Sequence, residues 1–474
     1  MFNRSLFLTA AASSLLVAGC AVGPKAPDPT LPPSGSGAFI GSQNAAVTPD
    51  APRDDWWRLY QDATLDGLVA QALAENNELE AAEANLRAVR ASLSEARAGR
   101  LPTTGLSASA QRARTPGSTS PTSQPVEGEA YSVGLDASYE IDLFGRVGST
   151  IRAARADADA AAAARDVVRI TVAAETARAY ADACAFNMQV AVAERSLSLQ
   201  QETAGLTQRL LDAGAGTGLD TSRARAAVAQ TAATIPPLRA QRDAALFRLA
   251  TLTGVTPAEA SQAARACTSL PRLTQAIPVG DGAQLLARRP DVRRAERNLA
   301  GAAARVNVAT ASLYPSISLG GSIGSTALDA GDLGDDASFR WSFGPLISWS
   351  FPNIAVARSR VAAAGANAEA ALATFDQTVL AALQETETAL SAYAQELDRR
   401  EALTEARDQA AQAARLSRLR FDAGADSFLT VLDAQRTLAG AEAALAASDA
   451  QVVTLQIALF KALAGGWVEQ ERQS

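Results

Sequence analysis

Arg420 to Glu442 reads RFDAGADSFLTVLDAQRTLAGAE, and a weaker copy of it lies about 210 residues upstream. There Leu211-Asp212-Ala213-Gly214-Ala215 occupies the place that Phe421-Asp422-Ala423-Gly424-Ala425 holds here. In each copy a long alanine-rich helical pattern meets a glycine, a few polar residues follow, and a second long helical pattern begins. Glycine enters left-handed backbone without steric cost, so Gly214 and Gly424 are expected as C′ caps, with Thr217 and Ser427 as N-caps of the returning helices. Each copy is therefore expected to be the tip of a helical hairpin, and the chain a duplication.

Duplication turns a length of 474 residues into one fold of two similar halves. Apolar residues make up 48% of the chain but aromatics only 5%, and alanine supplies much of the apolar share, which suits long, closely packed helices. The net charge of −7 comes without a basic block, which argues against a nucleic-acid partner. The chain contains no histidine, so histidine general bases, Ser-His triads and histidine metal sites are excluded. A Gly-x-x-x-x-Gly-Lys phosphate loop and a Cys-x-x-Cys pair are also missing. No catalytic, cofactor or metal site is expected, and Asp329, Asp332, Asp335 and Asp336 read as a solvated acidic loop tip rather than a calcium loop.

Arg4 precedes an apolar run, Ser5 to Ala18, too short to span a bilayer as a helix but suited to a secretory signal core. The run ends in Leu16-Val17-Ala18-Gly19-Cys20, which resembles a bacterial lipoprotein cleavage box. That resemblance implies loss of residues 1–19 and a covalent lipid on Cys20, with Ala21 favouring carriage to the outer membrane. Residues 20–55 are rich in proline, glycine and serine and read as an extended tether without a core. Trp56-Trp57-Arg58-Leu59-Tyr60 then opens ordered structure, and Leu65 to Gly99 is a helical pattern. Cys184 and Cys267 remain in an oxidising setting, either bonded to one another or as one buried and one free thiol.

Val133, Leu135, Ala137, Tyr139, Ile141 and Leu143 alternate with small or polar residues, and Phe339, Trp341, Phe343, Pro345, Ile347, Trp349 and Phe351 repeat the pattern, which Leu346 breaks. Weaker partner strands precede them at Leu106 to Ala113 and Ser316 to Ser325, giving two β-hairpins. A sandwich edge with one wet face would show the same alternation. Aromatics at the strand ends, here Phe339, Trp341, Trp349 and Phe351, also mark membrane interfaces.

From Val147 to Asp212 and from Ile354 to Asp422 the helical pattern runs long enough to span roughly 100 Å at 1.5 Å per residue. Val379, Leu383, Thr386, Leu390, Tyr393 and Leu397 form a 3.5-period seam, as in a coiled coil. The return helices run from about Gly218 to Gly254 and from Phe428 to Leu463, and Ile235-Pro236-Pro237 is expected to end or kink the first. Four membrane strands cannot close a barrel alone, since lipid-exposed strand edges are forbidden, so several copies must pool their strands. Two, three or four copies satisfy that argument. The expected fold class is thus α+β: a membrane β-barrel completed by oligomerisation, joined to a long α-helical coiled-coil barrel, in two internal repeats.

These stretches resemble the outer membrane factor family, the TolC-type channel-tunnels, and within it the lipidated NodT-like branch of multidrug efflux. The resemblance runs from Cys20 to Gly466 and is most specific at Trp56-Trp57 through Leu68, Glu140-Ile141-Asp142-Leu143-Phe144-Gly145-Arg146, Arg288-Arg289-Pro290-Asp291-Val292-Arg293-Arg294-Ala295-Glu296, Leu313-Tyr314-Pro315-Ser316 and Phe421 to Arg436. It implies a homotrimer with a twelve-stranded barrel in outer membrane lipid, working with a periplasmic adaptor and an inner membrane RND transporter. The implied layout is a signal peptide (1–19), a lipid-anchored linker (20–55), a first repeat (56–254), an equatorial segment (255–282), a second repeat (283–466) and a tail (467–474).

By the same resemblance the hairpin tips form the closed periplasmic end. Leu429 and Asp433 take the gate positions, with Thr430 where some relatives carry a second acid. The adaptor would dock on Gly214, Thr217 and Asp220 of one tip and Gly424, Asp426 and Ser427 of the other. The implied function is a non-enzymatic exit channel that passively conducts small molecules delivered by an inner membrane pump. A type I secretion duct for proteins would use the same fold. A lipid-anchored coiled-coil scaffold would have no use for the strands.

Overall fold

A computed structural model describes residues 35–116, 125–349 and 354–465. The expected signal segment, the lipidation residue Cys20, the tail 467–474 and the last position of the alternating pattern, Phe351, lie outside the described residues. In chain order the elements are β1 (Val47–Thr48), α1 (Ala63–Glu75), α2 (Asn77–Ala98), β2 (Thr103–Thr115), β3 (Val126–Ile141), α3 (Arg146–Asp212), α4 (Gly218–Leu252), α5 (Gln262–Arg265), β4 (Ile277–Pro278), α6 (Gly282–Arg288), α7 (Pro290–Ala311), β5 (Ser316–Ala327), β6 (Phe339–Ser348), α8 (Ile354–Asp422) and α9 (Phe428–Ala462). Among the described residues, 85–162 and 294–376 form one compact unit, which holds the large sheet; the rest forms a second, helical unit.

In the sheet unit four antiparallel strands lie in the order β2-β3-β5-β6. Register turns the alternation of single strands into rows. Leu106, Leu135, Ile323 and Trp341 stand side by side, and Ala108, Val133, Ser325 and Phe339 form the next row. The opposite face carries Gly105, Asp136, Ser322 and Ser342, then Ser107, Gly134, Gly324 and Arg340. Side chains of successive strand residues point to opposite faces, so one face is apolar and the other small and polar. Leu346, which breaks the sequence pattern, sits in register with Ser318 on the polar face. No part of the chain covers the apolar face: Leu106 is 80% exposed and Trp341 72%. Beyond Tyr131 that face ends in ion pairs between Arg112 or Arg114 and Glu127 or Glu129.

The strand β3 ends at Ile141, two residues before the alternation does, because Asp142 is used as a cap. Its carboxylate accepts the N–H groups of Val147 at 2.9 Å and Gly148 at 2.7 Å, satisfying donors that the first turn of α3 cannot pair itself. Gly145 at φ 74° makes the elbow, Phe144 stacks on Tyr314 at 4.7 Å, and Arg146 pairs with Glu140. Leu93, Val147, Ile151 and Ala158 form the small core between α2 and the start of α3.

The helical unit has the larger core. Trp56 is fully buried and stacked on Phe460 at 4.8 Å. Tyr60 donates to Gln456, whose amide donates to Tyr393, so buried polar groups are paired across α8 and α9. The seam of α8 is buried at Val379, Thr386, Leu390 and Tyr393. Residues 35–53 are not a bare tether: Phe39 and Val47 are core residues, the N–H groups of Ile40 and Gly41 bind Glu387, and β1 pairs in parallel with β4.

Two further expectations change. The pattern from Leu65 to Gly99 splits into α1 and α2 at buried Asn76, whose Oδ1 accepts from Glu78 and Leu79 while its Nδ2 donates to the Leu252 carbonyl. Nor do Pro236 and Pro237 end α4. Both prolines are exposed, so the carbonyls they leave unpaired face water, while Ile235 is buried beside them and Thr234 bonds back to Thr231.

Candidate functional site

Both hairpin tips are built on one backbone device. In the first, Gly214 takes φ 73°, its N–H donates to Leu211 at 2.9 Å and that of Ala215 to Leu210 at 2.8 Å. In the second, Gly424 takes φ 73°, with Gly424 donating to Phe421 at 2.9 Å and Ala425 to Arg420 at 2.8 Å. This nested pair satisfies two carbonyls at a helix end that otherwise lack partners.

The returning helices start differently. Thr217 caps α4 by accepting from the Asp220 N–H at 3.2 Å and donates its hydroxyl proton to the Asp220 carboxylate at 2.6 Å. Ser427 holds the equivalent place before α9 in extended backbone, but its side chain makes no capping bond, and its Oγ lies 3.3 Å from Thr430 Oγ1 instead. What holds the second tip is a pair the sequence reading did not single out. Arg420 grips Asp426 with two bonds, at 2.7 and 3.0 Å, and the bidentate guanidinium holds the Asp426 carboxyl below its usual range. Beneath it Phe421 meets Phe428 edge-on at 6.1 Å, and Phe428 and Leu432 pack with Ala224 and Ala227.

That packing fixes the orientation of α9. Phe428, Val431, Leu432 and Gln435 are buried, and Gln435 donates to Thr203 of α3 at 3.1 Å. Leu429 and Asp433, four residues apart, fall on the other face: Leu429 is 50% exposed and Asp433 is exposed. The chain itself offers Asp433 no ion pair among the described residues. Gly214, Thr217, Asp220, Gly424 and Ser427 are exposed or half-exposed at the two tips, whereas Asp426 is drawn inward by Arg420.

Two other features anchor the helical unit. The Sγ atoms of Cys184, fully buried on α3, and Cys267, just after α5, are bonded at 2.09 Å, closing a loop that contains the whole first tip. Asn187 holds the same junction by donating to the carbonyls of Arg265 and Cys267. Arg289, in the motif before α7, reaches Asp291, Glu385 and the Ala462 carbonyl at 2.7–3.0 Å. Burial works to raise the Asp291 carboxyl, but Arg289 and the Val292 N–H outweigh it and hold the group below its usual range. Three elements distant in sequence meet on this one guanidinium, which explains an arginine there; no alternation or helical period announces it.

The profile of the outer membrane efflux protein family matches residues 68–255 and 282–465. The outer membrane protein OprJ of Pseudomonas aeruginosa is 32% identical over 464 residues, covering 96% of each chain. Nodulation protein T of Rhizobium leguminosarum bv. viciae is 30% identical over 465 residues, covering 98% of this chain and 94% of its own. Among solved structures, the outer-membrane channel OprN is 36% identical, superimposes with a TM-score of 0.89, and is covered fully by 94% of this chain.

Proposed function

This chain belongs to the outer membrane efflux protein family, and on that footing we propose that copies of it pool their strands into one closed barrel that opens a water-filled path through the outer membrane. It is an efflux channel of the outer membrane that extends into the periplasm, not an enzyme. The observation that carries the barrel reading is the sheet itself. β2 and β6 each leave one edge unpaired by the chain, and the face that would meet lipid is an uninterrupted set of apolar rows. From Ile141 to Tyr131 those rows cover about 33 Å of strand, or about 25 Å of height at the ~40° tilt of such barrels, which is the thickness of a lipid-facing band. An open edge is forbidden there, so β6 of one copy must meet β2 of the next. Three copies would give the twelve strands expected of this family.

The tripartite pump then divides the work. An inner membrane RND transporter supplies the energy, a periplasmic adaptor seats on the two tips, and this chain conducts small molecules passively once its helices part. Symmetry would gather Asp433 from each copy into an acidic ring with Leu429 one turn away, narrowing the path and favouring cations over anions at its closed end. A lipid on Cys20 would add an anchor beside the barrel. The test is to purify the acylated protein from outer membranes and incorporate it into planar bilayers. A heat-modifiable trimer with discrete conductance steps is expected; a monomer that leaves bilayers impermeable sinks the reading.

A further inference from the structure

The polar face of the sheet carries one cation without an anion. Arg340 of β6 stands in the row of Gly324, Gly134 and Ser107. Its Nε donates to Thr326 Oγ1 at 3.1 Å, and its guanidinium extends across β5 to β3, where a Cβ on Gly134 would sit 3.4 Å from a terminal nitrogen. A Cβ on Gly324 would lie 2.5 Å from the Val133 carbonyl oxygen, so the strand beneath the guanidinium must be bare. The two glycines give the side chain a flat floor to lie on.

Nothing on that face neutralises it. Among the described residues Arg340 forms no ion pair, and the strands place only two carboxylates there, Asp136 and Glu140, the second already held by Arg146. Asp329, Asp332, Asp335 and Asp336 on the adjoining loop make no ion pair with it either. A neighbouring copy would bring β2 beside β6, and β2 offers that face Thr103, Gly105, Ser107, Ser109, Gln111 and Ala113, none of them acidic. The charge therefore stays uncompensated when the barrel closes.

We propose that Arg340 is a charge-selecting residue of the channel: repeated by symmetry, it forms a ring of guanidinium groups on the wet wall that favours substrates bearing a carboxylate, sulfonate or phosphate and disfavours simple cations. This rests on the pooled-barrel reading. A twelve-stranded barrel has a backbone radius of about 12 Å, and arginine projects inward from it, so the lumen at this level is comparable with the screening length of about 8 Å at physiological salt. Three such charges then bias permeability by a factor on the order of two to three.

Reversal potentials in planar bilayers under a potassium chloride gradient test this on the full-length trimer. Arg340→Gln is expected to lower the chloride-to-potassium permeability ratio by about twofold or more, Arg340→Lys to leave it near wild type, and Asp136→Asn to raise it. A conducting Arg340→Gln channel with the wild-type ratio overturns the proposal. If Arg340→Gln does not assemble, wild type and Arg340→Lys are compared with inorganic pyrophosphate in the outer chamber. Block of both supports the guanidinium ring, and absence of block overturns it. If even the wild-type protein conducts nothing, the pooled barrel has failed, and the selecting residue with it.

Discussion

The two hairpin tips share a backbone and differ in almost everything attached to it. Gly214 and Gly424 have the same dihedral and the same nested hydrogen bonds. Leu219 in the first hairpin matches Leu429 in the second, but Arg223 stands where Asp433 does, and both are exposed. Gly216 stands where Asp426 does, so the first tip has no counterpart of the Arg420 clasp. Instead it has the Thr217 cap and, farther up, the Cys184–Cys267 bond. Duplication preserved what the chain needs to reverse direction, which is a backbone matter. It left the exposed stripe of each returning helix free to acquire a different charge, and only the second carries the acid a gate would use.

Four measurements would break or sharpen that contrast. The largest effect is expected at the gate positions: Asp433→Ala should raise single-channel conductance in planar bilayers severalfold, while Arg223→Ala changes it little. Equal responses would mean that the hairpins are not specialised. Next, replacing Cys184 and Cys267 by serine frees a loop of 83 residues, for which chain entropy gives about 4–5 kcal/mol. Guanidinium unfolding should register that loss, and protease nicking should concentrate between residues 184 and 267, sparing the second hairpin, which has no such bond.

A smaller difference is expected at the caps. Thr217→Ala should cost about 1 kcal/mol and speed amide exchange in the first turn of α4, whereas Ser427→Ala, which removes no capping bond, should leave α9 near wild type. The smallest effect is a pH response of the second tip. The Asp426 carboxyl is lowered in the folded chain, so its contribution is complete above the ordinary aspartate range and is lost as pH falls through the lowered value. Exchange at residues 423–427 should therefore quicken on acidification below about pH 4, and Asp426→Asn should abolish that response. A tip already loose at neutral pH would show that the Arg420 grip is not formed in solution.

How much of this was legible in the sequence depended on the range of each signal. Hairpin ends were readable because a glycine cap and the helices on either side lie within a few residues of one another. Strand boundaries slipped where one residue served two masters: Asp142 continues the alternation of β3 but is taken by α3 as its cap. Asn76 hid a break inside a sound helical period, because its side chain substitutes for backbone partners only when Leu252 is beside it. Proline misled for the opposite reason. The penalty attached to Pro236 and Pro237 assumes unpaired carbonyls that are buried, and these face water.

What the sequence determined by itself was therefore everything carried by neighbours along the chain: the repeat, the cap glycines, the 3.5-residue seam of α8 and the two-residue period of the strands. Periodicity is a property of one segment, and it survives without knowledge of any other. The tertiary structure alone decided which segments meet. It set the register that lines Arg340 up with Gly324 and Gly134, the closure of Cys184 on Cys267, and the junction at Arg289 of the α6–α7 turn with α8 and the end of α9. Those pairings depend on the position of a second strand or helix in space, which packing and loop closure fix and no local pattern encodes.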